Sequence, residues 1–166
     1  MVELGCGPAH VAAFLAERGV DIGGLDLSPA MVEQAHRLFP DLDVQVGSML
    51  DLPFEDGSLA GLVAFYSIIH FDDDQLRTCS AEMARVVVVG WLVVLAFHVG
   101  DGVVHREDWW GQRVALDARS LLPDHVTGLL AEVGLSAVSV DERDPYAPEV
   151  EYQSRRAYIT ARKTAR

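Results

Sequence analysis

The sequence predicts an α/β protein with a doubly wound, mostly parallel sheet and helices on both faces. Three observations carry this. Short apolar runs alternate with amphipathic stretches along most of the chain, the pattern of a parallel sheet covered on both sides. The run Val2-Glu3-Leu4-Gly5-Cys6-Gly7-Pro8-Ala9 ends an apolar strand in a glycine turn that opens directly onto a helix. Asp26, 19 residues after Gly7, ends the next strand. At 166 residues, half of them hydrophobic, the chain is expected to form one domain, residues 1–166, with a real core.

Each element follows in order. Val2–Leu4 is the first strand. Pro8 to Arg18 reads as a helix with Val11, Phe14 and Leu15 on one stripe and Gly19 as its stop. Ile22–Leu25 is the second strand. Ser28 stands at an N-cap with Pro29 at the first helical position, and that helix ends before Pro40. Val44–Val46 and Leu59–Phe65 are strands three and four. Asp72 or Asp73 caps a helix running to about Arg85. Trp91–Phe97 is apolar throughout, as a central buried strand should be. Gly100–Leu122 is the least regular stretch and holds His105, Arg106, Trp109, Trp110 and Arg113; residues 100–122 are expected to be a substrate-side insertion or lid. Pro123–Glu132 is a helix stopped by Gly134. Ala137–Val140 and Ala157–Ala161 close the sheet as an antiparallel pair.

The glycine turn suits a nucleotide-type ligand. Glycine lets backbone approach where a Cβ would clash, and the following helix is expected to aim free N–H groups at the same space. Asp26 is placed to accept from two ribose hydroxyls, or else to cap the helix after it. A dinucleotide fingerprint needs a third glycine where His10 stands, and a phosphate loop needs a Gly-Lys-Ser/Thr that is absent.

Glu3-x-Gly5-x-Gly7-x-Ala9 resembles motif I of the class I S-adenosylmethionine (SAM)-dependent methyltransferases. Leu25-Asp26-Leu27-Ser28-Pro29-Ala30-Met31 is similar to that family's second-strand segment. Gly47-Ser48-Met49-Leu50-Asp51-Leu52-Pro53-Phe54 resembles its adenine-side loop, and Val63-Ala64-Phe65-Tyr66-Ser67-Ile68-Ile69-His70 its fourth strand with the active-site end. The matches run in order across residues 2–70; residues 71–166 fit in pattern. The resemblance implies a Rossmann-like seven-stranded sheet in the order 3-2-1-4-5-7-6. It also implies SAM as cofactor, S-adenosylhomocysteine (SAH) as product, and in-line methyl transfer to an oxygen or nitrogen of a small molecule.

On that resemblance, Gly5 and Gly7 line the methionine end of SAM and Glu3 reaches its amino group, unless Glu3 is a surface acid at the strand end. Asp26 binds the ribose. Leu27 and Met31 stand on the cofactor side, although Leu27 is equally an ordinary core leucine. Ser48 and Met49 take the adenine, with core packing the other reading of Met49. Phe65 and Tyr66 end strand four where cofactor and substrate meet, and their rings could contact the sulfonium. His70, just beyond, suits a general base, or simply enters the next helix beside Asp72. His98, His105, Trp109 and Trp110 are expected on the substrate side. Cys6 and Cys79 have no metal spacing, so no metal is expected. Two departures stand out. The chain opens two residues before Glu3, where family members usually carry a longer strand and a covering helical segment, which implies either an open cleft or a start assigned late. Val87-Val88-Val89-Gly90-Trp91 replaces the usual Pro-Gly-Gly turn.

A net charge of −12 with a single lysine repels phosphate backbones. Phe65-Tyr66-Ser67-Ile68 also lacks the Pro-Pro tetrad of DNA-base amino-methyltransferases. A small-molecule substrate is expected, with no nucleic acid and no membrane partner, and oligomeric state is left open. The longest apolar stretch, Val86 to Gly100, is too short to span a bilayer, no signal peptide opens the chain, and a cytoplasmic location is expected. A SAM-binding protein of the same fold that transfers no methyl is the alternative. A nicotinamide-dependent oxidoreductase is disfavoured by His10.

Overall fold

The protein is described from a computed structural model covering residues 1–109 and 112–165. The elements run β1 (Val2–Leu4), α1 (His10–Ala16), β2 (Gly23–Asp26), α2 (Pro29–Leu38), β3 (Val44–Val46) and β4 (Leu62–Phe65). After a single 3₁₀ turn (Ile68–His70) come α3 (Asp73–Val86), β5 (Leu92–His98), β6 (Val103–Trp109), β7 (Gln112–Arg119), α4 (Pro123–Glu132), β8 (Leu135–Arg143) and β9 (Arg156–Lys163). Seven strands form one sheet in the order β3-β2-β1-β4-β5-β9-β8, while β6 and β7 pair separately. The first five are mutually parallel, and β9 runs antiparallel to both β5 and β8. With the separate hairpin set aside, this is the predicted order 3-2-1-4-5-7-6.

The core has two layers because successive strand residues face opposite sides. Leu62 and Ala64 join Leu4, Leu95, Phe97 and Ile159 against α3 and α4, where Leu76, Met83, Leu129 and Leu130 are buried. Val63 between them faces the other layer, with Ala9, Ala12, Val32 and Ala35 of the α1–α2 side. Asp72 and Gln75 close a reciprocal capping box at the start of α3, which satisfies two otherwise orphaned N–H groups.

Three local expectations are corrected. Helix α1 is shorter than predicted, and its buried face is Ala12 and Ala13, not the Val11, Phe14 and Leu15 stripe. Only small side chains let this helix lie close on the sheet, so Phe14 faces solvent and the Arg18 guanidinium covers its ring at 3.5 Å. Residues 100–122 are not irregular: β6 and β7 form a ladder from Val103↔Arg119 to Trp109↔Gln112, with a register shift between Arg106 and Asp108. The hairpin leaves even Val103 and Val104 exposed, so no one-sided hydrophobic pattern marked it. Strand β8 is longer than predicted because most of its residues are exposed at the sheet edge, which hides the period-2 signal. The apolar turn before β5 buries Val87 but leaves Val89 and Trp91 exposed. Its shape comes from Gly90 at φ +89°, whose N–H donates to Lys163 O at 2.8 Å while Arg162 donates to Gly90 O at 2.7 Å. Among the described residues, no helix is long and apolar enough to cross a membrane.

Candidate functional site

The strand order reverses between β1 and β4, and in open α/β sheets ligands bind in the crevice at such a switch point. Gly5 and Cys6, leaving β1, both donate their N–H groups to Leu25 O, at 2.8 and 3.1 Å. Gly5 has φ +65°, and a Cβ built there would lie 2.4 Å from Ser67 Cβ. Ser67 follows β4, is buried, and donates to Leu4 O at 2.8 Å. The ends of the two strands are therefore clamped at a point only glycine allows. Gly7 differs: its φ is +52°, yet the space where a Cβ would go is open to 4 Å. Among the described residues, Ala9 (φ 63°) and Tyr66 (φ 55°) are the two non-glycine residues with left-handed backbone. They lie on the loops after β1 and β4, one on each lip of the crevice, and such strain gathers at functional sites.

Asp26 holds the crevice from the β2 side. One oxygen accepts the Gly7 N–H at 2.7 Å and the other the Ser28 N–H at 2.9 Å. A carboxylate has about four acceptor positions, so half remain for a ligand. Glu3 is not a surface acid: its side chain is buried, with the residue only 3% exposed, and Oε2 accepts the Ala12 N–H at 2.8 Å. That bond consumes a first-turn N–H of α1, so the helix start does not present all its donors to a ligand as expected. Burial pushes the Glu3 carboxyl up to about 7, helped by the nearby Asp26 charge and opposed by the Ala12 N–H. Burial, then Glu3 and Asp26, likewise push the Cys6 thiol up to about 12, which leaves it inert as a nucleophile.

Leu27 is 73% exposed and Met31 is also exposed, so Leu27 is not a core residue. Ser48 Oγ accepts the Leu50 N–H at 3.1 Å, and Met49 Cε lies 3.4 Å from where a Gly5 Cβ would stand. The loop beyond is tied down by two residues that sequence reading passed over. Glu82 accepts the Leu52 N–H at 2.7 Å, while Arg85 donates to Leu52 O at 2.9 Å and Phe54 O at 2.8 Å. Nothing in an i, i+3 Glu–Arg pair on a helix distinguishes a loop anchor from a solvated face.

On the β4–β5 side, the Tyr66 ring lies 4.9 Å from His98 and His98 lies 5.8 Å from Tyr152, centroid to centroid. His98 Nδ1 is 2.6 Å from Ser154 Oγ. Buried Arg156 donates to Ser154 O at 3.1 Å and Tyr152 O at 3.2 Å, and pairs with Glu151 at 3.0 Å. Burial, with the Arg156 charge, pushes the His98 imidazole below its ordinary value, opposed by Glu151. Phe65 packs edge-on against Tyr158 at 6.4 Å. Tyr152, Ser154 and Arg156 were missed because they lie far along the chain and only β9 brings them to the end of β5.

His70 is exposed at the carboxyl end of β4, with Nδ1 2.8 Å from Asp117 O on the hairpin. A carbonyl only accepts, so Nδ1 is the donor in this contact. His105 pairs across the hairpin with Asp117 Oδ1 at 2.6 Å and is exposed. Trp109 is described only through its backbone, at the end of β6, and Trp110 lies outside the described residues. A cavity of about 310 Å³ sits beside the hairpin, lined by Phe71, Asp73, Arg119, Leu121 and His125 among others, and shares no residue with the glycine turn.

A glycine turn, two left-handed lips and a strand-end carboxylate at the switch point of a doubly wound sheet define a nucleoside-cofactor-binding domain. The profile of the family described as "Methyltransferase domain" matches residues 1–90. The chain belongs to this family, the class I SAM-dependent methyltransferases. It is 32% identical to an O-methyltransferase, resE, of Aspergillus sclerotiorum over 103 residues, 58% of this chain and 38% of that protein. The fold matches a SAM-dependent methyltransferase of Methanosarcina mazei at a TM-score of 0.87 with 16% identity, covering 99% of this chain and 92% of that one. It also matches a geranyl diphosphate C-methyltransferase of Streptomyces coelicolor, solved with SAH, at a TM-score of 0.75 and 16% identity, covering 98% and 73%. The chain spans less than half the length of the curated relatives it matches.

Proposed function

We propose that this domain binds SAM in the crevice between the carboxyl ends of β1 and β4 and transfers its methyl group to an oxygen or nitrogen of a small molecule. The observation that carries this is the Gly7–Asp26 pairing: open space at a left-handed glycine, with a carboxylate at its side that keeps acceptor positions free. SAM supplies a methyl already activated by positive sulfur. Residues of the chain then need only orient the two reactants and exclude water. Asp26 takes the ribose hydroxyls. Exposed Leu27 and Met31 offer apolar surface to the purine, and Ser48 and Met49 approach from the loop after β3. Glu3, buried with its carboxyl raised to about 7, offers an acceptor close by for the cofactor's amino group. Tyr66 closes the crevice on the acceptor side, and His98 and His70 are the two imidazoles there that can take a proton. The Streptomyces protein, solved with SAH and sharing this fold, supports the cofactor assignment. The charge of −12 supports a small, non-polyanionic acceptor, and the working location is the cytoplasm.

Calorimetric titration with SAH tests the assignment. Asp26→Ala leaves two hydroxyls without their charged acceptor and should cost about 1.5–3 kcal/mol, roughly tenfold to a hundredfold in affinity. Unchanged affinity in a folded variant would remove Asp26 from the site.

A further inference from the structure

We infer that the cavity of about 310 Å³ beside the hairpin is a small-molecule site of its own, taking a zwitterionic amino-carboxylate with an apolar side group. Arg119 and the start of α4 receive the carboxylate, and Asp101 receives the ammonium. The site shares no residue with the glycine turn and does not rest on the methyl-transfer reading. Its walls are joined through backbone. The Ser120 N–H donates to Gly102 O and the Leu121 N–H to His98 O, both at 2.8 Å, and the Gly100 N–H to Leu121 O at 3.2 Å. The chain leaving β5 is thereby stitched to the chain entering α4. Phe71, Val103, Leu121 and Leu122 supply apolar lining, of which Val103 and Leu122 are exposed.

Arg119 is the residue that calls for a ligand. Its Nε is buried without a hydrogen-bond acceptor, and its side chain makes no hydrogen bond or ion pair with any described residue. Every other arginine whose side chain is described is bonded or paired, from Arg18 on Phe14 O to Arg162 on Gly90 O. A guanidinium stripped of water at Nε, with nothing given in exchange, gains most from a charged acceptor on its open side. A carboxylate matches its fork of N–H donors. Helix α4 starts at the same wall, since Leu122 and His125 both line the cavity. Leu122 is its N-cap and offers no side-chain acceptor, so the first turn keeps uncapped N–H groups beside the cavity, which favour an anion.

The acidic groups argue against a simple anion. Asp72, Asp73 and Asp101 line the cavity with Arg119 and His125, and Asp124 stands in the first turn of α4. Asp72 is engaged by the Gln75 N–H at 2.9 Å, and Asp73 lies 3.2 Å from His125 Nε2. Asp101 is exposed and, among the described residues, pairs with neither Arg119 nor His125. A ligand of negative charge alone meets these carboxylates, and one of positive charge alone leaves Arg119 unmatched. An amino-carboxylate answers both, and its side group covers the exposed apolar lining.

The test is calorimetric titration of the full chain, without cofactor, with L-phenylalanine, 3-phenylpropionate and phenethylamine. These share one frame and carry both charges, only the negative, and only the positive. The amino acid should bind roughly tenfold or more tighter than either analogue. Arg119→Gln should weaken phenylalanine and phenylpropionate by roughly the same factor and leave phenethylamine unchanged. Asp101→Asn should weaken phenylalanine and phenethylamine and spare phenylpropionate. Phenylalanine binding no tighter than its analogues would overturn the inference. So would an equal loss of all three ligands in Arg119→Gln, which marks a collapsed wall and not a lost carboxylate contact. Failure of both L-phenylalanine and L-leucine to bind at millimolar concentration would overturn it too, whatever SAH does at the glycine turn.

Discussion

Gly5→Ala should cost about 3 kcal/mol of stability, from left-handed strain plus overpacking. The strain arises because an L side chain at φ +65° is disfavoured. The overpacking arises because the new Cβ would lie 2.4 Å from Ser67 Cβ, which cannot retreat without breaking the Ser67–Leu4 bond. For a chain of this size that is a fall in melting temperature of about 10 °C. Gly7→Ala makes the contrasting case. Its backbone is left-handed too, but no atom lies within 4 Å, so the stability cost should be only about 1 kcal/mol. The new methyl group would instead enter the open space proposed for the cofactor, so SAH binding should weaken. Adding Ser67→Gly to Gly5→Ala should relieve the clash but not the strain, and it forfeits the Ser67–Leu4 hydrogen bond. Thermal unfolding of the three variants checks this, and equal losses at Gly5 and Gly7 would contradict it.

Glu3→Gln should stabilise the protein at neutral pH and leave it nearly unchanged in acid. The Glu3 carboxyl is raised from 4.5 to about 7 in the folded chain, so the native state binds its proton more tightly than the unfolded state does. Its effect on stability is therefore absent below pH 4.5, grows as a penalty while pH rises to about 7, and is constant above. Over that window the penalty amounts to about 3 kcal/mol. Glutamine keeps an oxygen for the Ala12 N–H and carries no charge, so the difference between variant and parent isolates Glu3 from every other titrating group. Denaturant unfolding at about pH 5 and about pH 8 should show the gain mainly at the higher pH. A gain of equal size at both would rule out a buried, titrating Glu3.

The amino-acid sequence by itself determined the doubly wound class, most helix bounds, and the meeting of the glycine turn with Asp26. All of this is local: Glu3, Gly5, Gly7 and Asp26 sit on two consecutive strands, so a turn, a strand end and their spacing place them together. Pro29, Pro40 and the Asp72 cap likewise mark helix ends through backbone chemistry that acts within one turn. The hairpin over residues 103–119 and the full length of β8 were not legible, because both are largely exposed and so lack the one-sided hydrophobic pattern. The grouping of Tyr66, His98 and Arg156 was decided by tertiary structure alone. Tyr66, His98 and Arg156 share a surface only because β9 inserts antiparallel between β5 and β8, putting Arg156 opposite His98 in register. Glu3 shows the same division within one residue. Its position was readable from the motif, but its burial, its bond to Ala12 and its raised proton affinity come from packing α1 onto the sheet, which removes water from a carboxylate that the sequence alone leaves in solvent.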